Sequence, residues 1–409
     1  MTALVRTLVA SILSLSAIAP AAAQQTSSFA VTVVPPEHGT LDLVPALPAD
    51  GKYAAGTVVT VKTTPAKGYA LDSAWYSVPG RFGQMYHEGM APEFKVTIDR
   101  DKRIGASFIE ASAVAHLNVT HDVVFAKPGK KPLKYDVYSP KGAKNLPIIV
   151  IVHGGGWAAN DEDVMRGLAR ELTRGGRFVV ASLDYRWAGK GDGDETGTTM
   201  ANIIEDVFGG IAHVMEHAKE YGGDPTRVGV TGDSAGGHLS AAVSLLPGKI
   251  GAGGFGKTAG VFEFMPTYMP KGKSVDQVRT EMLAAIKAAA PSYGVFNAAR
   301  LNTYSEDPAA GDAWKQAIAP LSHVPNVKER AVPQFQVRGT KDGLIRDTDC
   351  KEFVDALVAA GQRAEYIQVG GAGHAFFDWK PDAATKATFA QYGVYYAAAM
   401  KAFFESVLY

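Results

Sequence analysis

Two patterns of hydrophobic positions divide the chain. Between residues 29 and 110 the apolar positions come in short β-branched runs, at 29–34, 57–62, 94–98 and 105–109. They are separated by Pro35 and Pro36, by Gly51 and Gly56, and by a polar turn at 99–103. Strands this short, punctuated by Gly, Pro and Asp, predict a small all-β module over 28–112. Beyond residue 117 the pattern changes. Strand-length runs occur at 146–152, 178–183, 227–231 and 333–338, and the first is apolar almost throughout, as a strand buried on both faces requires. Between the second and third, Ile203, Ile204, Val207, Ile211, Val214 and Met215 recur at helical spacing. Segments 168–174 and 351–360 also read as helices. Strands alternating with helices predict a mainly parallel sheet covered on both faces, over 117–409.

The first residues follow neither pattern. Arg6 is the only charged side chain before position 37. A mostly apolar stretch at 8–19 follows it, and then Ala21, Ala22, Ala23 and Gln24. This is the layout of a secretory signal peptide with an A-x-A cleavage site, so residues 1–23 are expected to be removed on export to the periplasm or beyond. The stretch is too short to cross a bilayer, which takes about 20 residues. No later stretch reaches the length of a membrane span. Composition narrows the function further. Forty-one Lys and Arg balance 41 Asp and Glu, and a nucleic-acid binder would show a basic excess. Cys350 is the only cysteine, which excludes an internal disulfide and a multi-cysteine zinc site.

The chemistry gathers on turns that follow predicted strands. Val228 to Val230 runs into Gly232, Asp233, Ser234, Ala235, Gly236 and Gly237, and an apolar, small-residue helix starts at once. That is Gly-x-Ser-x-Gly in its required context, strand before and helix after, and it marks Ser234 as a nucleophile. The strand at 146–152 runs into His153, Gly154, Gly155, Gly156 and Trp157. Three ordered glycines are entropically costly in a plain loop, but they bring backbone N–H groups close to a substrate oxygen. Asp342 lies on a loop just past the strand at 333–338, and His374 on a glycine-rich turn after 365–369. The order Ser, Asp, His is that of the α/β-hydrolases. His323 is the next candidate base, and Asp347 and Asp349 compete as the acid.

These motifs make residues 117–408 resemble an α/β-hydrolase esterase, near the hormone-sensitive-lipase-like and feruloyl/acetyl-esterase branches. Asp184-Tyr185-Arg186, Gly222-Gly223-Asp224-Pro225 and Gly339 to Asp342 add to the likeness. One position departs from it: Asn160 stands where such chains often carry Gly. The resemblance implies a triad of Ser234, Asp342 and His374, with the N–H groups of Gly155, Gly156 and Ala235 as oxyanion donors. It needs no metal or organic cofactor. Residues 28–112 resemble one internalin-type B-repeat, through Gly39-Thr40, Ala55-Gly56-Thr57, Gly68-Tyr69 and Trp75.

The substrate implied is an ester, small or linked to polysaccharide, with acetyl or feruloyl groups of plant polysaccharide as the analogy. Trp157, Phe376 and Trp379 are the expected pocket wall. Trp75, Tyr76, Phe82 and Tyr86 are read either as a sugar platform or as a small core. Segment 248–330, rich in aromatics, is read as a partial cap or as ordinary sheet and helices. Two rival functions stay open: a peptidase or amidase of the same fold, and an exported binding protein with a relic hydrolase domain. Because the module carries none of the motifs, a chain beginning near Ala113 is expected to fold and to keep activity on a small ester.

Overall fold

The computed structural model describes residues 27–81, 83–193, 197–252, 263–304 and 312–409. The expected leader, residues 1–23, and Phe82 lie outside the described residues. Eight strands build the N-terminal module: β1 (Ser28–Val33), β2 (Gly39–Val44), β3 (Lys52–Ala54), β4 (Val58–Pro65), β5 (Tyr69–Gly80), β6 (Gly83–Gly89), β7 (Glu93–Thr97) and β8 (Lys102–Glu110). They form a five-stranded sheet in the order β3-β1-β8-β5-β6 and a three-stranded sheet in the order β2-β4-β7. Alternation along β4 puts Val59 and Val61 into a small core with Val31, Val96, Ile98 and Ile104, separate from the main core of the chain.

The second unit is built on one eight-stranded sheet. Its strands are β9 (Leu117–Ala126), β10 (Leu133–Pro140), β11 (Leu146–Val152), β12 (Val179–Leu183), β13 (Gly223–Asp233), β14 (Ile286–Ser292), β15 (Gln334–Gly339) and β16 (Ala364–Val369). The order is β9-β10-β12-β11-β13-β14-β15-β16. β9 and β10 pair antiparallel, and every pair from β12 to β16 is parallel. The flanking helices are α1 (Arg166–Thr173), α2 (Met200–His217), α3 (Ala235–Leu245), α4 (Val275–Ala285), α5 (Ala298–Tyr304), α6 (Asp312–Ile318), α7 (Asp347–Ala359), α8 (Ala383–Thr388) and α9 (Val394–Leu408). β11 is buried from Pro147 to Val152 because helices cover both of its faces. This is the α/β-hydrolase arrangement the pattern predicts. No helix among the described residues is long and apolar enough to cross a membrane.

Segment 248–330 takes the plainer of its two readings where it is described. It supplies β14 to the middle of the sheet, and Phe264, Tyr293, Phe296 and Trp314 are buried in the main core. Phe262, with the rest of 253–262, lies outside the described residues, as do 305–311 and the side chain of Tyr304. Two of the module's aromatic residues, Trp75 and Tyr76, also pack inward. Trp75 lies over Gly105, whose Cβ would sit 2.2 Å from the indole. Tyr76 stacks on His87 and Phe94.

The two units meet through buried ion pairs. Asp72 and Glu88 of the module pair with Arg166 of α1, a guanidinium only 1 % exposed. This joint is more deeply buried than the modest interface from which an independent module was expected. Ion pairs this deeply buried occur only where both partners are held and desolvated together.

Candidate active site

Three parallel strands of the sheet end in the turns that carry the chemistry. Past β13 the chain reverses sharply at Ser234, whose φ of 53° and ψ of −114° are strained for an L-residue. Ser234 N–H donates to Ser292 O at 2.9 Å, so the end of β14 holds the reversal in place. The glycines on either side are steric necessities. A Cβ at Gly232 would lie 2.4 Å from Val152 O, and one at Gly236 only 1.9 Å from the same oxygen. The backbone of α3 therefore presses against the end of β11, and the serine hydroxyl projects from the helix start, where the dipole favours negative charge.

His374 Nε2 lies 2.8 Å from Ser234 Oγ, and His374 Nδ1 lies 2.8 Å from Asp342 Oδ2. The structure thus brings the three sequence-predicted residues into one relay, from turns after β13, β15 and β16. Asp342 Oδ1 accepts the N–H groups of Leu344 and Ile345 at 2.8 and 2.9 Å. Burial pushes the Asp342 carboxyl up, but the hydrogen bond and charge of His374 and the two N–H groups outweigh it and hold it below its ordinary value. The competing residues are engaged elsewhere. Asp347 accepts from Tyr366 and Gln368, Asp349 pairs with Arg346 and Arg300, and His323 lies against the carbonyls of Gln316 and Ala317.

The loop after β11 is bent to match. Gly155, Gly156 and Trp157 have φ of 121°, 59° and 60°, and Asn160 takes φ of 67°, so the turn survives with Asn in place of Gly. Asn160 Nδ2 also donates to Gly154 O at 3.3 Å, and its own carbonyl accepts Trp187 Nε1–H at 2.9 Å. Gly154 N–H is committed to Asp233 Oδ1 at 2.7 Å, so it stands apart from the expected oxyanion donors Gly155, Gly156 and Ala235. That bond fastens the loop to the nucleophile turn. Burial, and next the carboxylate of Asp378, push Asp233 up to about 7.

Sequence reasoning missed several residues that support this geometry. Tyr185 stacks on His153 at 4.1 Å and donates its hydroxyl to His153 O at 2.9 Å. Asp184 pairs with Lys131, and Arg186 forks onto Asp206. The Asp184-Tyr185-Arg186 motif was the signal for them. Tyr293 packs edge-on against His374 with ring centroids 5.0 Å apart. No local pattern marks it.

The expected pocket wall is not a wall. Trp157 is 2 % exposed, and its Nε1–H donates to His238 Nδ1 at 3.2 Å. Phe376 is 0 % exposed and packs on Tyr293, Phe377 and Tyr396 behind the histidine. Trp379 turns toward the module, where its Nε1–H donates to Asp72 Oδ2 at 2.9 Å. Trp157 and Phe376 are therefore internal, and Trp379, half-buried, lines a small cleft at the joint with the module. Apolar rings after His374 satisfy the core more cheaply than they would face water.

Comparison with known proteins agrees with the fold. Residues 135–357 match the BD-FAE family model, and residues 29–112 match the divergent InlB B-repeat domain. A carboxylesterase of Mycobacterium tuberculosis, NlhH, is 38% identical over 116 residues, 28% of this chain and 34% of that protein. A probable isoprenylcysteine alpha-carbonyl methylesterase of Oryza sativa subsp. japonica, ICMEL1, is 28% identical over 272 residues, 63% of this chain and 57% of that protein. The chain thus spans from about a third to a little over half of the length of these curated relatives. Among solved structures, the truncated form of a carbohydrate esterase from gut microbiota shares the fold. Its TM-score is 0.53 at 20% identity, over 72% of this chain and 97% of that one. With more than half of its residues inside the first match, and the strand order and turns described above, the chain belongs to the BD-FAE family of α/β-hydrolase esterase domains and carries an N-terminal divergent InlB B-repeat domain.

Proposed function

We propose that the protein is an exported serine carboxylic-ester hydrolase that removes acetyl or feruloyl groups from plant polysaccharide. The observation that carries the hydrolase reading is the relay itself: serine oxygen, imidazole and carboxylate joined by two contacts of 2.8 Å. Ser234 Oγ attacks the ester carbonyl while His374 Nε2 takes its proton. The N–H groups of Gly155, Gly156 and Ala235 receive the oxyanion. His374 returns the proton to the leaving alkoxide, and water, activated by the same imidazole, releases the acyl group. Asp342 fixes the tautomer and stabilises the imidazolium. The ester class and the acyl groups rest on family likeness and on the carbohydrate esterase among the structural neighbours. Export rests on the leader pattern of residues 1–23.

Glycan contact through the module is assigned in this reading to a groove that two of the proposed platform residues, Trp75 and Tyr86, help to line. This groove of about 430 Å³ runs between the module and the start of α8, with Tyr86, Arg103 and Asp382 on its walls. Its planar polar groups and the rings of Trp75 and Tyr86 suit a sugar chain.

Purified protein should hydrolyse p-nitrophenyl acetate and release acetate or ferulate from substituted polysaccharide. Ser234→Ala should lose about 10⁴-fold or more in kcat. A fluorophosphonate should label Ser234 in the parent protein. Turnover of anilides in preference to esters would favour the amidase, and absence of labelling the relic binding protein. Amino-terminal sequencing of exported protein tests cleavage after Ala23.

A further inference from the structure

We propose that Asp72 of the N-terminal module is a positioning residue for the hydrolase, clamping the helix that follows the oxyanion loop to the loop that follows His374. The proposal rests on the hydrolase reading above. The argument begins at a bulge. On β5, Leu71 pairs with Phe108 and Ser73 with Ser107, so Asp72 is an extra residue on its strand. A bulge re-aims a side chain out of the ladder. Here it sends a carboxylate out of the module and into the partner unit, where that carboxylate is fully buried.

Three segments of the hydrolase converge on it. From α1, Arg166 Nε donates to Oδ1 at 3.0 Å and Arg170 Nη1 to Oδ1 at 2.9 Å. From the loop after His374, Trp379 Nε1 donates to Oδ2 at 2.9 Å. From α8, Lys386 Nζ lies 3.5 Å from Oδ2. The same elements touch directly as well. Trp379 N–H donates to Val164 O at 2.8 Å, and a Cβ at Gly167 would lie 2.9 Å from the indole. The Arg170 guanidinium covers the Trp379 ring at 4.6 Å. Asp72 is therefore the shared counter-charge of Arg166, Arg170 and Lys386, of which Arg170 and Lys386 sit over the Trp379 ring. Glu88 pairs with Arg166 at 2.6 Å. Without Asp72, Arg166 and Arg170 of α1 would face Lys386 of α8 with Glu88 as the neighbouring carboxylate, and the Trp379 bond that ties the histidine loop to this group would be lost. The repulsion and the lost bond part α1 from the histidine loop. α1 begins nine residues after Trp157 and Trp379 lies five after His374, so the movement reaches both the oxyanion donors and the base.

Asp72→Asn, which keeps the shape and removes the charge, is expected to lower kcat on p-nitrophenyl acetate by about 10- to 100-fold. KM should change by less than about threefold, because no substrate contact is lost. Trp379→Phe keeps the ring and removes only the bond that joins Asp72 to the histidine loop. It is expected to lower kcat about three- to tenfold with KM unchanged, in a protein that melts cooperatively. If Asp72→Asn does not melt cooperatively, Trp379→Phe decides. Parent-like kcat in the folded variants, or a loss confined to KM, overturns the clamp and leaves the hydrolase reading standing. A parent protein inactive on every ester overturns that reading, and the clamp with it.

Discussion

Asp342 has both carboxylate oxygens in use, one on His374 and one on two backbone N–H groups. Its folded value lies below the ordinary 3.8. A depressed carboxylate contributes stability that is present above its unfolded value and is lost as pH falls through the folded one. Asp342→Asn should therefore reduce stability at neutral pH more than at pH 3, as melting temperatures across that range would record. In the assay it should lower kcat by about 10⁴, since the amide holds the imidazole in the wrong tautomer. His238 behaves differently. It is fully buried, accepts from Trp157 on Nδ1 and donates from Nε2 to Ile318 O at 2.9 Å, so only the neutral ring fits. Burial drives its value down to about 4, against the hydrogen bond to Ile318. The unfolded chain then binds the proton first, and stability falls as pH drops from about 6.5 to about 4. That window is worth about 3 kcal/mol. His238→Gln should flatten the melting temperature across it. A profile as steep as the parent's would place the titrating group elsewhere.

At the scale of elements, the nucleophile turn is where two backbones nearly touch. Gly236→Ala would put a methyl group 1.9 Å from Val152 O, and carbonyl oxygens at the end of a central strand cannot yield. The expected cost is about 2 kcal/mol or more, by overpacking. Because α3 would have to move off β11, kcat should fall as well. Guanidinium denaturation and a kinetic assay on the same preparation separate the two effects. β14 teaches the converse. Ile286 to Ser292 holds three consecutive alanines, a lysine and a proline, a composition that does not advertise a strand. β13 on one side and β15 on the other hold it there, with Ala289, Ala290 and Pro291 opposite Val230, Thr231 and Gly232. Small residues suit that place because α3 lies close over it. A local pattern of propensity carries no trace of such a neighbour.

For the whole molecule, the main consequence is that the module and the hydrolase share buried charges. A chain beginning at Ala113 would leave Arg166, Arg170 and Lys386 together without Asp72 or Glu88. It should melt at a lower temperature than the full chain and lose more than about tenfold in kcat/KM, equal to about 1.4 kcal/mol of transition-state stabilisation. Parent-like turnover by the shortened chain would restore the picture of a tethered spacer. The residues of the relay were legible because each sits on a glycine-rich turn directly after a strand, and such turns are written in a few consecutive letters. So were the alternation of strand and helix and the break between the two units. The aromatic residues were misjudged for the opposite reason. Whether Trp157, Phe376 or Trp379 faces a pocket or a core depends on what packs against it from distant parts of the chain. The same holds for Asp72 and Arg166, which lie 94 positions apart. Sequence by itself determined the fold class, the family and the three residues of the relay, because local backbone geometry demands particular residues at particular spacings. Only the tertiary structure decided which side chains are internal and how the module is held. Burial and ion pairing are properties of neighbours in space, which the order of residues does not state.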